Sequence, residues 1–578
     1  MSPTEGLKER IDRLLASVDP SSCDYLGMIA ELVREKEASG IDWQGYVDKL
    51  YGKVYEEMIC NNGPPRTRIT FGTSGWRGIL GKDLFCTSVA QVTQAIVEMY
   101  HDLGKRADLA SALGVADVDE AKKRGCVVGF DNRFGGEIFA KVASWVLHRQ
   151  GIRVMYAGET TTGVLSATVL QLGAAFSINF TPSHNPLEYG GLKFNAADAG
   201  PAASEITAFI TDRARRLVDE NRTPQAFSAR EIIETPLENM VEHIDSLALW
   251  KKHVRDNSPI HGLQYDHIIE RFSSDDDIAV VIDSVHGASR LHVAPLFDMS
   301  ASSRLVHLRK EKDVTFGGVA PEPSSANMRQ VVSALEQRPE KLKLGAIIDP
   351  DGDRIRFTDG EVEISMNQFG AMAYHFLHEC KGKKGLVAKT VATSNFVNSI
   401  AAKLGEEVYE PKVGFKEFKP VINTALVCFE ESDGISIIGH TPEKDGYIGL
   451  LLALDMIVTT GKNLGTYLDE IEEEFGYFYP ERDGLEVFLK GQELITALDG
   501  LKKYSVGSVV DVDGKMQVID EVIDIDGRKM IFEDGSWLMI RPSGTEPKVR
   551  FYVESRTPDG TRGLVRAARN MLEEVGVI

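Results

Sequence analysis

Residues 174–195 read AAFSINFTPSHNPLEYGGLKFN, an apolar run followed at once by a loop rich in proline and glycine. This pattern is typical of a buried β-strand in an α/β sheet, whose carboxyl end carries a functional loop. Two prolines stiffen the loop, and the glycine pair at 190–191 permits a tight turn. The loop is therefore predicted to display Ser183 at an exposed position. Its hydroxyl could accept a phosphoryl group, or it could only cap a helix.

The same strand-then-loop pattern recurs along the chain. Further apolar runs that predict strands lie at 126–130, 154–157, 278–283, 344–348 and 385–388, and amphipathic stretches that predict helices lie at 137–149 and 165–172. Strands that alternate with helices predict parallel sheets built from βαβ units. After about residue 476 the predicted elements are strands at 509–512, 518–525, 537–540 and 549–554 and a helix at 563–574. The fold class predicted is α/β, with three related mixed α/β domains and a C-terminal α+β domain.

The length and these changes of pattern divide the chain into five segments. A chain of 578 residues is too long for a single hydrophobic core. Residues 1–65 show helical periodicity without a glycine-rich loop, which predicts a helical extension packed on the first domain. A regulatory or dimer-forming role for it is the alternative. The four domains are predicted at 66–236, 237–362, 363–475 and 476–578.

Bulk composition excludes several classes of partner. The net charge of −21 argues against a nucleic acid or an anionic membrane and leaves a small molecule as the expected ligand. The six scattered cysteines contain no CxxC pair, which favours reduced thiols and a cytoplasmic protein. The expected assembly is a monomer or a homodimer. The most apolar run, at 447–458, is too short to span a bilayer and predicts a buried helix.

A second loop has the composition of a metal site. The sequence DPDGDR at 349–354 follows a predicted strand, and its alternating carboxylates can converge on one hard cation. A calcium-binding EF-hand is excluded, because Arg354 stands where that loop needs glycine and Gly360 where it needs glutamate. Magnesium fits, since it takes few carboxylates together with a phosphate oxygen, although acidic turns without metal are common. The predicted ligands are Ser183, Asp349, Asp351 and Asp353.

A third loop could bind phosphate. The sequence RPSGTEPKVR at 541–550 lies between two predicted strands. Ser543, Gly544 and Thr545 could form an anion-binding nest of backbone N–H groups and hydroxyls. The flanking Arg541 and Arg550 could grip a phosphate, and a charged hairpin turn is the alternative.

Three weaker signals complete the set. FGTSGWRG at 71–78 offers Arg77 to a phosphate or a sugar oxygen. Glu430 and Ser432, two residues apart in FEESDG, would face one side of an extended loop and suit sugar hydroxyls. Lys416 and Lys444 are candidate phosphate ligands or proton carriers.

In order along the chain, these motifs resemble those of the α-D-phosphohexomutase superfamily. The matching segments are FGTSGWRG, GFDNR at 129–133, TPSHNP at 181–186, DPDGDR, VGFK at 413–416, EES at 430–432, EKDG at 443–446 and RPSGTEPKVR. The resemblance covers about residues 68–556 and implies four domains around a central active-site cleft. It implies that Ser183 carries the phosphoryl group and that the three aspartates hold Mg²⁺. It further implies that the substrate is bound by Arg354, Lys416, Glu430, Ser432, Arg541, Ser543, Gly544, Thr545 and Arg550.

The activity that the resemblance implies is interconversion of hexose 1-phosphate and hexose 6-phosphate. A hexose 1,6-bisphosphate, glucose 1,6-bisphosphate for glucose, would be the intermediate and activator. The candidates for proton transfer or charge stabilisation are Arg77, His184, Lys193 and Lys444.

The EES triplet favours glucose, then mannose or dual specificity, then a pentose, and the departures at Pro182 and Asp433 leave this order open. Two rival hypotheses are a phosphatase or kinase of another family and a non-catalytic sugar-phosphate binder. The lack of a Walker phosphate loop counts against a kinase.

Overall fold

The computed structural model describes residues 3–17, 22–72, 75–298, 303–489, 491–542 and 548–578. Three helices come first: α1 (Pro3–Leu15), α2 (Tyr25–Ser39) and α3 (Gln44–Cys60). Asp24 caps α2 by accepting a hydrogen bond from the backbone N–H of Gly27, and Gly40, with a φ of +71°, ends that helix. Ile11, Ile29 and Leu50 are fully buried in a hydrophobic core shared with the first domain.

The first domain is a seven-stranded sheet with helices on both faces. Its strands are β1 (Phe71–Gly72), β2 (Gly75–Ile79), β3 (Cys126–Phe130), β4 (Val154–Glu159), β5 (Phe176–Phe180), β6 (Tyr189–Asn195) and β7 (Glu242–His243), in the order β1-β2-β6-β5-β3-β4-β7. Its helices are α4 (Cys86–His101), α5 (Ala107–Leu113), α6 (Val118–Arg124), α7 (Gly136–Arg149), α8 (Thr162–Leu172), α9 (Ser204–Asp219) and α10 (Ala229–Glu234). Strands β3, β4 and β5 are parallel, so their carboxyl ends share one edge.

The second domain has a five-stranded sheet in the order β12-β11-β10-β8-β9. Its elements are α11 (Ser246–His261), α12 (Tyr265–Ser274), β8 (Ile278–Asp283), α13 (Val293–Phe297), β9 (Leu305–Leu308), α14 (Ser325–Glu336), β10 (Leu342–Ile348), β11 (Ile355–Thr358) and β12 (Glu363–Ile364). β10 is parallel to β8 and antiparallel to β11, so the turn at 349–354 lies at the carboxyl end of β10.

The third domain has a four-stranded sheet in the order β14-β13-β15-β16. Its elements are α15 (Met366–His375), which continues as a π-helical turn over Phe376–Cys380, β13 (Val387–Lys389), α16 (Phe396–Leu404), β14 (Val408–Tyr409), β15 (Val427–Glu430), β16 (Gly434–Ile437), α17 (Gly446–Thr460) and α18 (Leu464–Phe475). In the described part of the chain no single helix is long and apolar enough to cross a membrane. Helices α17 and α18 pass that test only together, across an 80° bend.

The fourth domain is an antiparallel sheet in the order β17-β22-β21-β20-β19-β18, packed on a long helix. Its elements are β17 (Tyr479–Glu486), α19 (Gly491–Leu498), β18 (Val509–Val512), β19 (Lys515–Ile523), β20 (Arg528–Phe532), β21 (Trp537–Pro542), β22 (Lys548–Ser555) and α20 (Pro558–Glu574). The predicted fold class, three mixed α/β domains and an α+β domain, is confirmed.

Several predicted boundaries were wrong by a few residues. The helix predicted from residue 563 begins at Pro558, because Thr557 caps it by accepting a hydrogen bond from the N–H of Gly560. The strand predicted at 385–388 is β13, which begins two residues later because Gly385 has a φ of +147°. The six cysteines are all free, four of them buried.

Candidate active site

Described residues from all four domains line one cleft of about 1100 Å³. Ser183, Asp349 and Asp351 are buried beneath it. The three predicted phosphate-nest residues, at 543–545, lie outside the described residues. The other predicted residues all line the cleft: Arg77, His184, Lys193, Asp353, Arg354, Lys416, Glu430, Ser432, Lys444, Arg541 and Arg550.

Ser183 follows β5 in a left-handed backbone conformation, with a φ of +58°. Its Oγ donates a 3.0 Å hydrogen bond to Oδ2 of Asp349 and lies 3.4 Å from Nδ1 of His184. Its N–H donates to Oγ1 of Thr181 at 2.8 Å. The expectation that this serine is exposed was wrong, because only 1% of it is accessible. The loop folds back onto the first domain and not outward into solvent.

Arg133 is the residue that holds the serine loop in this position. It follows β3, the strand beside β5, and its guanidinium is almost fully buried. It donates to the carbonyl oxygens of Ser183 at 2.6 Å and Pro186 at 2.7 Å, and also to that of Asn185. The sequence analysis quoted the GFDNR segment without giving Arg133 a role. An arginine directly after a buried strand was the signal available, since such a side chain must find acceptors.

The three aspartates after β10 form a compact acidic group. One carboxylate oxygen from each lies within 4.8 Å of the others, and all three residues are buried. Burial and the neighbouring carboxylates raise the pKa of Asp349. Among the described residues, Oδ1 of Asp351 and Oδ1 of Asp353 have no hydrogen-bond partner. Buried carboxylate oxygens without donors are what a hard divalent cation would coordinate, so this donor set fits Mg²⁺.

Two lysines from other segments of the chain face the aspartates. Lys193, on β6, donates to Oδ2 of Asp351 at 2.6 Å and to Oδ2 of Asp353 at 2.8 Å, and Nζ of Lys444 lies 3.3 Å from the latter oxygen. Burial alone would lower the pKa of Lys193, but Asp351 and Asp353 raise it. Burial alone would raise the pKa of Asp353, but Lys193, Lys444 and Arg354 hold it well below its usual value. Lys193 is therefore protonated in this arrangement and acts as a counter-charge.

His184 lies among cations. The positive charge of Arg354, together with burial and the charge of Arg77, holds the pKa of His184 well below its usual value, so the imidazole is neutral. Burial and the like charge of Arg354 also lower the pKa of Arg77. This concentration of positive charge beside Ser183 provides the local basic environment that a phosphate needs in an acidic protein.

The third domain presents a carboxylate to the cleft. Glu430, at the end of β15, accepts a 3.1 Å hydrogen bond from the N–H of Gly414, and burial raises its pKa to about 7. Asp433, the departure from the family pattern, forms a two-pronged pair with Arg356 at 2.8 and 3.1 Å. That pair ties the loop after β15 to β11 of the second domain. Asp433 is thus engaged with protein and is not a free cleft group.

The predicted phosphate-binding cations Arg541, Arg550 and Lys416 also line the cleft. Arg541 on β21 and Arg550 on β22 are direct partners in the antiparallel ladder, so both side chains lie on the same face. Like charges placed opposite each other are destabilising. Nε of Arg541 lies 3.3 Å from Oδ1 of Asp526, which offsets part of that repulsion. Lys416 instead donates at 2.8 Å to Oγ of Ser204 at the start of α9, which links the third domain to the first.

Four family profiles match the chain, in an order that mirrors this architecture. They are described as phosphoglucomutase/phosphomannomutase alpha/beta/alpha domain I over residues 68–220, domain II over 264–362, domain III over 365–475, and the C-terminal domain over 494–570. The chain belongs to the phosphoglucomutase/phosphomannomutase family. It therefore belongs to the α-D-phosphohexomutase superfamily that the motifs predicted. Its relatives are isomerases, and it is an enzyme of the phosphoglucomutase-like, intramolecular phosphotransferase class.

Individual members of the family resemble the chain over most of its length. The phosphoglucosamine/phosphogalactosamine mutase of Sulfurisphaera tokodaii is 24% identical over 512 residues, which cover 87% of this chain and 99% of that protein. Phosphoglucomutase 1 of Drosophila melanogaster is 25% identical, over 76% of this chain and 84% of that one. The crystal structure of a putative phosphomannomutase from Thermus thermophilus superposes with a TM-score of 0.68 at 25% identity, covering 88% and 99% of the two chains. The names of these relatives refer to different sugar substrates. Family membership therefore identifies the phosphosugar mutase reaction but does not identify the sugar.

Proposed function

We propose that this enzyme interconverts glucose 1-phosphate and glucose 6-phosphate through phosphoserine at Ser183 and a glucose 1,6-bisphosphate intermediate. A phosphomannomutase or dual-specificity activity is the second candidate, and a phosphopentomutase the third. The observation that carries the proposal is the placement of Oγ of Ser183 3.0 Å from an oxygen of the acidic triad, beside the cleft that Arg541 and Arg550 line. One end of a short sugar bisphosphate can then meet the serine while the other meets the arginines.

Each half-reaction exchanges one phosphorus–oxygen bond for another. The bond between the phosphoryl group and Oγ of Ser183 breaks as the free hydroxyl of the hexose phosphate attacks. That hydroxyl loses its proton, and the departing Oγ of Ser183 takes one up. The resulting bisphosphate turns end for end, and the second half-reaction returns the other phosphoryl group to Ser183. Phosphoryl transfer of this kind depends on in-line positioning and on neutralising charge. Candidates for the proton transfer or the charge stabilisation are Arg77, His184, Lys193 and Lys444.

The three aspartates would hold Mg²⁺ together with an oxygen of the Ser183 phosphoryl group. The bound ion would supply positive charge against the oxygens of that group. The chain's own residues supply the rest. Glu430 and Ser432 would hydrogen-bond sugar hydroxyls, and Arg354 and Lys416 would contact the substrate. The non-reacting phosphate would be bound by Arg541, Ser543, Gly544, Thr545 and Arg550.

The cysteines bear on the compartment of the enzyme, and the EES triplet at 430–432 bears on its sugar specificity. Six free cysteines support a reducing compartment, and we propose the cytoplasm. The EES triplet supports glucose, because it resembles the triplet of phosphoglucomutases.

The test is turnover of glucose 1-phosphate with a coupled readout for glucose 6-phosphate, repeated with mannose, glucosamine and ribose 1-phosphates. We expect the highest kcat/KM with glucose 1-phosphate. Release of inorganic phosphate without isomer would favour the phosphatase hypothesis. Binding without turnover would favour the non-catalytic binder.

A further inference from the structure

The loop at 309–318 of the second domain has no part in the proposed chemistry, yet it is wedged between the first domain and the N-terminal helices. Three consecutive residues of this loop, Phe316, Gly317 and Gly318, have φ values of +57°, +63° and +77°. The left-handed region is unfavourable for a bulky side chain such as that of Phe316. Surrounding contacts must therefore hold the loop in this shape, as they do at functional positions.

Those contacts come from inside the loop and from the N-terminal extension. The carboxylate of Asp313 accepts hydrogen bonds from N–H of Thr315 at 2.8 Å, from its Oγ1 at 2.6 Å, and from N–H of Gly317 at 3.0 Å. A Cβ at Gly318 would lie 2.7 Å from Cγ1 of Val33 on α2, so the loop backbone packs directly against that helix. Phe316 is fully buried in the core that the N-terminal helices share with the first domain.

On its other side Phe316 meets the residue that holds the serine loop. Cζ of Arg133 lies 4.7 Å from the centre of the Phe316 ring, a cation–π contact. The residues flanking Arg133 are held from the same direction. Nδ2 of Asn132 donates to the carbonyl oxygen of Asp313 at 3.2 Å, and the ring of Phe134 packs 4.5 Å from that of Tyr51 on α3.

We propose that Phe316 is a positioning residue for the reaction, through which the N-terminal helices fix Arg133 and hence the backbone of Ser183. Ser183 itself has a φ of +58°, so its loop needs support from outside. Arg133 gives that support through the carbonyl oxygens of Ser183, Asn185 and Pro186, and its guanidinium lies over the ring of Phe316. The inference rests on the proposed role of Ser183, and it gives the N-terminal extension a function beyond stability.

The full-length variant Phe316→Leu tests this, because it keeps an apolar side chain and removes the ring beneath Arg133. We expect kcat with glucose 1-phosphate, at saturating bisphosphate, to fall about tenfold, since small misplacements of reacting groups are costly. KM should stay within about twofold, because the sugar and its distal phosphate are held elsewhere. Amide hydrogen exchange at 181–189, measured well below the melting temperature, should become faster.

Ile11→Ala is the matched control. It removes a fully buried side chain from α1 of the same extension, a helix that packs on α3. It should lower the melting temperature at least as much while leaving kcat and the exchange at 181–189 unchanged. A purely structural role for the extension would make both variants behave alike, and that outcome overturns the proposal.

A double-mutant cycle asks whether Phe316 acts through Arg133. Arg133→Lys keeps the charge but loses the forked donors. In that background Phe316→Leu should have little further effect on kcat, whereas multiplied losses of kcat would refute the coupling.

If Phe316→Leu does not fold, Val33→Ala replaces it. The expected loss of kcat is then about threefold, and an unchanged kcat overturns the proposal. If Ser183→Ala keeps its activity, the proposed role of Ser183 is wrong. Hydrogen exchange at 181–189 still shows whether Phe316 holds the serine loop in place, so the two hypotheses are tested separately.

Discussion

Oγ of Ser183 and Oδ2 of Asp349 are 3.0 Å apart, although the residues are 166 positions apart and belong to different domains. The serine hydroxyl donates this hydrogen bond at the carboxyl end of β5, and the aspartate stands at the carboxyl end of β10. Two sheets thus bring their strand ends face to face. Phosphorylation of Ser183 would place a dianion beside three carboxylates, so the site needs the nearby lysines, arginines and a cation.

Replacing Ser183 by alanine should abolish nearly all turnover while the fold survives. The variant loses the acceptor oxygen but keeps the carbonyl groups that Arg133 binds. Steady-state rates with glucose 1-phosphate and circular-dichroism melting curves check both halves. Activity within about tenfold of wild type, roughly 1.4 kcal/mol of barrier, would exclude Ser183 as the obligate phosphoryl carrier.

Chelation should stop the reaction, and Mg²⁺ should restore it. Asp351→Asn should weaken Mg²⁺ binding measured by calorimetry, since that residue contributes an oxygen without another hydrogen-bond partner. Asp524→Asn, an exposed change in the fourth domain, is the control and should bind as wild type does. Full activity in excess chelator, with metal absence shown by elemental analysis, would contradict the metal assignment.

Trace glucose 1,6-bisphosphate should activate enzyme that has been dephosphorylated. It would phosphorylate Ser183 and so remove a lag in the progress curve. Intact-protein mass spectrometry before and after the addition follows the phosphate. Enzyme that is demonstrably unphosphorylated and runs at full speed without bisphosphate would disprove the phosphoenzyme cycle.

Arg541→Ala should raise KM at least about tenfold and lower kcat less, because a phosphate grip acts in both the ground and transition states. The control is Arg566→Ala, which removes an exposed arginine paired with Asp513 in the same domain. Initial rates across a range of glucose 1-phosphate concentrations separate the two constants. Unchanged constants in Arg541→Ala would remove this loop from the mechanism.

Glu430 should make stability depend on pH near neutrality. Burial raises its folded-state pKa to about 7, so the folded protein holds this proton more tightly than the unfolded chain does. Its contribution to stability is fully present below about pH 4.5 and is lost as the pH rises through about 7. Glu430→Gln mimics the protonated carboxyl and should gain up to about 3 kcal/mol relative to wild type between pH 5 and pH 8.5.

The difference between variant and wild type is the quantity to measure, in thermal unfolding at both pH values, because titrations elsewhere then cancel. A difference that stays constant, or that favours wild type at the higher pH, would contradict the assignment of a raised pKa to Glu430.

Strand ends were the predictable part of this protein. Runs such as 126–130 and 278–282 are apolar throughout, and that pattern is typical of a strand buried in a parallel sheet. Contacts between domains were not predictable from local pattern. The burial of Ser183 depends on an arginine after a different strand. The hydrogen bond from Lys416 to Ser204 joins residues more than two hundred positions apart. The loop at 309–318 has no periodicity, so no sequence signal marked it.

The close packing of Gly318 against Val33 also has a consequence for folding during synthesis. A ribosome releases α2 and α3 long before it has synthesised the loop that they enclose, because that loop belongs to the second domain. The first domain can form its sheet as it emerges, but the core around Phe316 stays incomplete until much of the second domain has followed. This long-range contact therefore forms late in folding. A nascent chain halted before residue 316 would expose apolar surface to which chaperones can bind.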